Sequence, residues 1–492
     1  MNFLNNIELD FSKSVYYLGV ELDSKLNFNI HIQNKVKKAK RLLMLLKNNI
    51  GKLWGPPASS LLYAYNNMVI PSLGHGALVW YKSCQSVTSK KRLAQLNRLI
   101  CTALMPLRYS TPTAGLEVVC NVMPLHLKMA EMGLKTYLRV KNIVQPMWDE
   151  LGKNNGKFGH LLMCKKDLTE LGIDPVEEDR DYFLNIDRKF FVDLDSKKFG
   201  LPHYDSTLKC YTDGSRMAGK TGYGYIISDG DYIMKESSGF IGENASVFQA
   251  EITAIHQACL ELNNFDGDMT IFTNSMSSLD ALCKVKIKSK VVANCIQELN
   301  KVANNRKVSI HWICSHTNNC CGNKAADAQA KLGTVSCNLV KTPIPTSFLK
   351  DKIHKSFMNV WNQEWKSSST CRQTKIFFPE LNPKKSNFLT KLGRKMLGQT
   401  VQLLVGHNML NYHRHKICKD FDPLCRLCGE ENEDSFHLIG ECPVLFEKRA
   451  QIFHKYLLDK NPEWKVKQLV SMIKESCISG MLDGSDQDPE VE

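Results

Sequence analysis

The stretch LKCYTDGSRMAGKTGYGYIIS, residues 208–228, decides the fold. Here the helical period of the preceding chain gives way to two strand-like runs, LKCYT and GYGYIIS. Three more follow, DYIMKESS from 231, MTIFT from 269 and VSIHWI from 308. Helical patterns at 246–262, 276–305 and 323–332 are interleaved with them. Strands mixed with helices over residues 206–335 predict one compact α/β domain.

Upstream, residues 15–22 (VYYLGVEL) read as a strand. Ile32, Val36, Leu43 and Leu46 then recur near helical spacing, with Lys35, Lys37, Lys38, Lys40 and Arg41 interleaved. That is a basic amphipathic helix over 30–47, which suits a phosphate-tracking face, a nuclear import signal or a plain solvated surface. Tyr16, Tyr17 and Trp54 read first as core aromatics and second as stacking surfaces. Residues 58–145 carry apolar helical patterns broken by prolines. Residues 146–205 lose the periodicity and gather acidic side chains, so a linker is expected there, with a second, loosely helical linker over 336–385. Residues 386–492 hold a Cys/His cluster, a last amphipathic helix and an acidic tail.

Bulk properties narrow the partners. With 64 Lys+Arg against 50 Asp+Glu, the formal charge of +14 favours a polyanion such as nucleic acid. A hydrophobic fraction of 43% excludes a disordered chain. The 18 cysteines are scattered, apart from one group at metal-ligand spacing. That pattern points to a reducing compartment, nucleus or cytoplasm, rather than secretion. The first residues lack a signal-peptide core and the longest apolar runs, such as LLMLL at 42–46, are far short of a bilayer span, so no membrane partner is expected.

Four positions in the central segment fall where a two-metal site would want them. Asp213 follows the first strand in YTDGS, Glu251 sits in the first turns of a helix, Asn274 ends the fourth strand and Asp327 is on the last helix. Mg²⁺ takes hard oxygen ligands, and two such ions close together need several carboxylates to offset their charge. YTDGS, FQAEITAI, IFTNS and HW-(x₃)-H-(x₅)-GNKAADAQAK together resemble the ribonuclease H domain of non-LTR retrotransposons. The resemblance implies a five-stranded mixed sheet with helices. It also implies an Asp-Glu-Asp-Asp set using Mg²⁺ or Mn²⁺ on the RNA strand of RNA–DNA hybrids. Carried over, Asp213, Glu251 and Asp327 are metal ligands and His316 assists product or proton handling. Ser315 and Lys324 depart from the family spelling beside the site without being ligands.

Asn274 is the serious departure, since the family pattern there is Thr-Asp-Ser. An amide oxygen can touch a metal but brings no charge. Losing one negative charge beside a dication costs several kcal/mol at an effective dielectric near ~20. If about 4 kcal/mol of that reaches the transition state, the rate falls roughly a thousandfold. Two other roles are open at this position: Asn274 as the cap of the helix that follows, and Asp280 as a substitute ligand, although a helix position so far along should point away from the strand end. Two readings follow from the resemblance, a slowed hybrid nuclease and an inactive nucleic-acid-binding remnant.

VYYLGVELDSKLNFNIHIQNKVKKA (15–39), MVIPSLGHGALVWY (68–81) and QLNRLICTALMPLRYSTPTAGLEVVCNVMPLHL (95–127) resemble the stretch just after the polymerase palm in jockey-like non-LTR reverse transcriptases. Residues 1–145 are therefore expected to be a mainly α thumb and connection remnant that holds template-primer and element RNA. The family's Tyr/Phe-Ala-Asp-Asp polymerase motif does not occur in the chain, so no polymerase activity is expected. Near the other end, PLCRLCGEENEDSFHLIGECP sets Cys425, Cys428, His437 and Cys442 at C-x₂-C-x₈-H-x₄-C, a spacing for one Zn²⁺. It resembles the Cys-Cys-His-Cys module ending the same retrotransposon proteins, and predicts a small α zinc-binding module. His407, His413 and His415 upstream read as solvated or helix-packed.

Overall fold

The computed structural model describes residues 2–4, 7–9, 12–48, 50–51, 54–105, 107, 110–141, 174, 184–194, 208–230, 232–314, 321–458 and 464–483. The chain divides into two compact units that do not follow chain order. One is Leu138–His354, and the other joins Met1–Tyr137 to Lys355–Glu492. This differs from domains drawn at 145, 205, 335 and 385, because the N-terminal helices close on the C-terminal ones through bonds between residues far apart in the chain. Ser386 Oγ donates to the Val118 carbonyl at 3.0 Å, and Arg394 Nη2 to the Ala103 carbonyl at 2.9 Å.

The unit Leu138–His354 is built on one mixed sheet. Its elements are β1 (Phe191–Asp193), β2 (Leu208–Met217), β3 (Lys220–Asp229), β4 (Tyr232–Gly242), α1 (Val247–Leu262), β5 (Met269–Thr273), α2 (Met276–Cys283), α3 (Lys290–Val302), β6 (Val308–Trp312) and α4 (Cys321–Gly333). The spatial order is β1-β6-β5-β2-β3-β4, with β1, β6, β5 and β2 parallel and the β2-β3-β4 meander antiparallel. All five expected strands are present. The sheet has six rather than five because three residues of the expected linker, Phe191–Asp193, pair along β6. A run that short carries no readable alternation.

Cys210, Ile271 and Ile310 are fully buried in one core with Ile252, Ile255, Ile296 and Leu299 of α1 and α3. The helix expected over 276–305 is two. Its middle, KVKIK, alternates with period two instead, and Ile287 is buried and bridges to Leu184. Helix α1 starts at a capping box in which Ser246 Oγ accepts from Gln249 N and Gln249 Oε1 accepts from Ser246 N. The buried Asp174 carboxylate accepts from Ser289 Oγ and Val291 N at the start of α3. Two glycines let the helices that carry Glu251 and Asp327 lie close to the sheet. A Cβ on Gly214 would lie 2.7 Å from the Glu251 backbone nitrogen, and one on Gly224 would lie 2.3 Å from that of Ala330.

In the other unit, helix Asn29–Asn48 buries Ile32 and Leu43 and exposes Lys37, Lys38, Lys40 and Arg41, as its periodicity predicts. Tyr16, Tyr17 and Trp54 are exposed, which corrects the core reading. Tyr16 and Tyr17 lie on a two-stranded hairpin, Ser14–Tyr17 with Val20–Asp23. No helix among the described residues is long and apolar enough to cross a membrane.

Candidate active site and metal centre

Register sets the first cluster. The parallel pairing of β2 and β5 ends at Thr212 opposite Thr273, so the next residues, Asp213 and Asn274, emerge side by side at the end of β5. Close approach of α1 over Gly214 brings Glu251 to the same place. Asp213 is 6% exposed and Glu251 5%. Burial raises the Asp213 pKa and the neighbouring charge of Asp327 adds to the rise, while the Gly214 N–H, 2.8 Å from Oδ1, lowers it. Burial first, and then the Asp213 charge, lift the Glu251 pKa well above its ordinary value. Glu251 Oε2 is buried without a hydrogen-bond partner.

Asp327, on α4, is the open side of the cluster, with 43% of its side chain exposed. Lys331, one turn on, sits 2.7 Å from its Oδ2 and feels Asp213 as well. The i,i+4 spacing of this pair was legible in AADAQAK, and the reading missed it. Asn274 does not cap α2, whose N-cap is Ser275. Its Nδ2 points at Asp213 Oδ1 over 3.4 Å, and its carbonyl accepts from Trp312 Nε1 at 3.1 Å. Asp280 is exposed on α2 and interacts with Cys283. His316 and Ser315 lie outside the described residues.

Hard oxygens from three elements, with one buried carboxylate oxygen lacking any donor and the Asp213 charge raising the Glu251 pKa, form a donor set that suits a divalent cation. The residues that would hold it are Asp213, Glu251 and Asp327.

The second cluster is in the other unit. The ligand atoms of Cys425, Cys428, His437 and Cys442 all lie within 4.8 Å of one another. Cys425 Sγ is 4.0 Å from Cys442 Sγ, and Cys428 Sγ is 3.3 Å from His437 Nε2. A tetrahedral zinc with ~2.3 Å bonds to sulfur sets neighbouring sulfurs about 3.8 Å apart, so the donor set fits. Burial opposes the Cys428 thiolate, but the backbone N–H groups of Glu430 and Glu431 and the neighbouring thiols bring its pKa below the usual range. Burial, with the neighbouring Cys425 and Cys428, pushes Cys442 up to about 12.

Local bonds hold this second frame. Cys425 N donates to the Glu431 carbonyl, and Gly429 N to that of Cys425, both at 2.8 Å. Asp434 Oδ1 accepts from Phe436 N and His437 N. The buried Glu433 carboxylate takes a fork from Arg426, with Nη2 to Oε1 at 2.7 Å, and the buried Arg449 donates Nη2 to the Cys442 carbonyl at 2.9 Å. Neither charge could be read from the sequence, where surface Arg and Glu look the same. His407, His413 and His415 lie upstream. His407 Nδ1 is 3.1 Å from Ser110 Oγ and His415 Nδ1 is 2.7 Å from the Phe421 carbonyl.

Sheet order, paired acids and motif spacing define a class, and comparison with known proteins agrees: residues 205–334 match the family described as RNase H, so the chain carries an RNase H domain. That domain is homologous to the Pol polyproteins of R1 non-LTR retrotransposons. The chain is 25% identical over 166 residues to the Pol polyprotein of the type-1 element R1 of Bradysia coprophila, covering 32% of this chain and 16% of that one. It is 26% identical over 216 residues to the corresponding polyprotein of Popillia japonica, covering 42% of this chain and 81% of that one. Similar solved structures include RNase H1 of Halobacterium salinarum, 22% identical with a TM-score of 0.22, over 26% of this chain and 96% of that one. LC11-RNase H1 in complex with an RNA/DNA hybrid is 21% identical with a TM-score of 0.23, over 26% of this chain and 99% of that one.

Proposed function

We propose that the RNase H domain, residues 206–335, hydrolyses the RNA strand of RNA–DNA hybrids in a retrotransposon-derived protein, at a rate lowered by Asn274. The observation that carries this reading is the convergence of Asp213, Glu251 and Asp327 from three elements, each altering or feeling the charge of another. Two Mg²⁺ or Mn²⁺ ions held there would polarise the scissile phosphodiester and activate a water. Asp213 and Glu251 provide the buried floor of the site, Asp327 its open wall, and Asn274 a neutral corner. Lys331 pairs with Asp327 at the rim of the cluster. His316 has the role of handling the proton or the released product. The hybrid is selected by its minor-groove width and by the 2′-hydroxyls of one strand.

The Cys425, Cys428, His437 and Cys442 module holds one Zn²⁺. The basic face of helix Asn29–Asn48 tracks phosphates of template-primer and element RNA in the nucleus or cytoplasm. No polymerase chemistry is assigned to this chain. The competing reading, an inactive remnant that binds nucleic acid, is favoured by the neutral amide of Asn274 standing beside Asp213. Incubation of the protein with a hybrid labelled on the RNA strand, in Mg²⁺ and in Mn²⁺, separates the two. Slow RNA cleavage that disappears in Asp213→Asn supports the nuclease. Binding of the hybrid without cleavage in either metal supports the remnant.

A further inference from the structure

A cavity of about 390 Å³ opens within the unit formed by Met1–Tyr137 and Lys355–Glu492, and the proposed nuclease chemistry does not use it. Its floor is Glu117, 7% exposed, on the helix Thr113–Cys120. Glu117 Oε1 accepts from Asn97 Nδ2 at 2.7 Å, and Asn97 Oδ1 in turn accepts from Tyr65 OH at 3.2 Å, so the carboxylate is held in one orientation. No partner among the described residues takes its second oxygen.

Two further polar atoms in the lining are buried without a hydrogen bond, His126 Nε2 and Ser368 Oγ, although the former is 3.5 Å from Glu364 Oε2. The buried indoles of Trp361 and Trp365 provide apolar wall, and Trp365 is fixed by donating Nε1 to the Phe378 carbonyl at 2.8 Å. Lys90 and Lys91 complete the lining from the first turns of helix Val87–Leu104. Neither has an ion-pair partner among the described residues, and the positive end of that helix adds to their field.

These groups restrict the ligand. A cationic side chain would suit the carboxylates but be repelled by the two lysines. A simple anion would suit the lysines but be repelled by Glu364, and by Glu117 in its ionised form, which burial confines to pH above about 7. A planar body with N–H donors at one end and a phosphate at the other satisfies both. Among the bases only guanine presents two adjacent donors, N1–H and the 2-amino group, to a carboxylate. Adenine and cytosine place a ring-nitrogen acceptor beside their amino group, and uracil flanks its single N–H with carbonyls. We propose that this cavity binds an unstacked guanine nucleotide, with Glu117 accepting from N1–H and the 2-amino group and Lys90 and Lys91 meeting the phosphate. The site reads a base of single-stranded nucleic acid, or the same nucleotide free in solution, away from the hybrid-cleaving cluster.

The test titrates the full chain with GMP, AMP, CMP, UMP, inosine monophosphate and guanosine, read by calorimetry and by the fluorescence of the neighbouring tryptophans. GMP is expected to bind about tenfold or more tighter than AMP, CMP or UMP, from one two-point base contact. Inosine monophosphate, lacking the 2-amino group, should fall between. Glu117→Gln, which can still accept from Asn97, should bring GMP down to the AMP level. The paired substitution Lys90→Ala with Lys91→Ala, on the accessible side, should weaken GMP to the level of guanosine and leave guanosine unchanged.

Single-stranded RNA with one guanine, compared with its inosine counterpart, distinguishes the source. Tighter binding than GMP assigns the site to a strand and equal binding to the free nucleotide. Equal affinity for all four nucleotides in the unaltered chain overturns the proposal, as does undiminished guanine preference in folded Glu117→Gln or unchanged GMP binding in the double-lysine variant. Asp213→Asn should bind GMP normally, so failure of the nuclease reading and failure of this one are separable.

Discussion

The two clusters are opposite solutions to gathering ligands. The oxygen cluster draws Asp213, Glu251 and Asp327 from a strand and two helices scattered through the sheet unit, and in doing so crowds like charges. The sulfur cluster lies within residues 425–442, and burial raises the Cys425 and Cys442 thiols while backbone N–H groups and the neighbouring thiols lower Cys428. The first is held by a whole fold and costs stability when its carboxylates ionise. The second is held by local turns and a fork from Arg426 onto the buried Glu433. The first also has an amide, Asn274, among its acids, whereas the second brings together four side chains that could all hold a metal ion.

The largest expected effect is on the sulfur side. Structural zinc in small modules contributes an apparent ~10 kcal/mol or more of binding free energy, and a zinc held by these four side chains would sustain the packing of Phe436 against Trp464, whose rings are 5.8 Å apart. Chelation, or Cys442→Ser, should release one zinc per chain and abolish that tryptophan's native fluorescence. A chain purified without zinc and melting at the same temperature would erase the contrast between the clusters.

The strands of the sheet unit were legible because alternation survives wherever one face is buried, as in LKCYT. The three acids were legible because their flanking spellings are local. Three features were not. Phe191–Asp193 is too short to show a period. The NH₂ of Asn274 bonds to a residue 61 positions away, so nothing near IFTNS announces it. The joining of Met1–Tyr137 to Lys355–Glu492 rests on bonds such as Ser386 to Val118, which no window along the chain contains. The exposed Tyr16 and Tyr17 mark a related limit, since VYYLGVEL has the composition of a buried strand and becomes one face of an isolated hairpin.

A smaller effect sharpens the oxygen side. The folded pKa of Glu251 lies above its unfolded value, so the folded chain holds that proton more tightly. The corresponding stability is complete below about pH 4.5 and is lost as the pH rises through the folded value. In EDTA, Glu251→Gln should therefore stabilise the protein by about 1–2 kcal/mol above neutrality, an advantage that vanishes near pH 4. Thermal unfolding across that range measures it, and an unchanging difference would mean that the acids do not burden each other.

The least effect is expected at Lys331. Its pair with Asp327 is half exposed and screened by solvent, so Lys331→Met should leave the urea-unfolding midpoint unchanged. A lowered midpoint would make the oxygen cluster as dependent on a local brace as the sulfur cluster is.

The central claim is that Asp213, Glu251 and Asp327 share metal around a corner left neutral by Asn274. Single-turnover cleavage of a labelled RNA–DNA hybrid by Asn274→Asp beside the unaltered chain tests it most directly. A gain of about a thousandfold, from roughly 4 kcal/mol of restored transition-state stabilisation, is the predicted result. Equal rates for the two chains would contradict it.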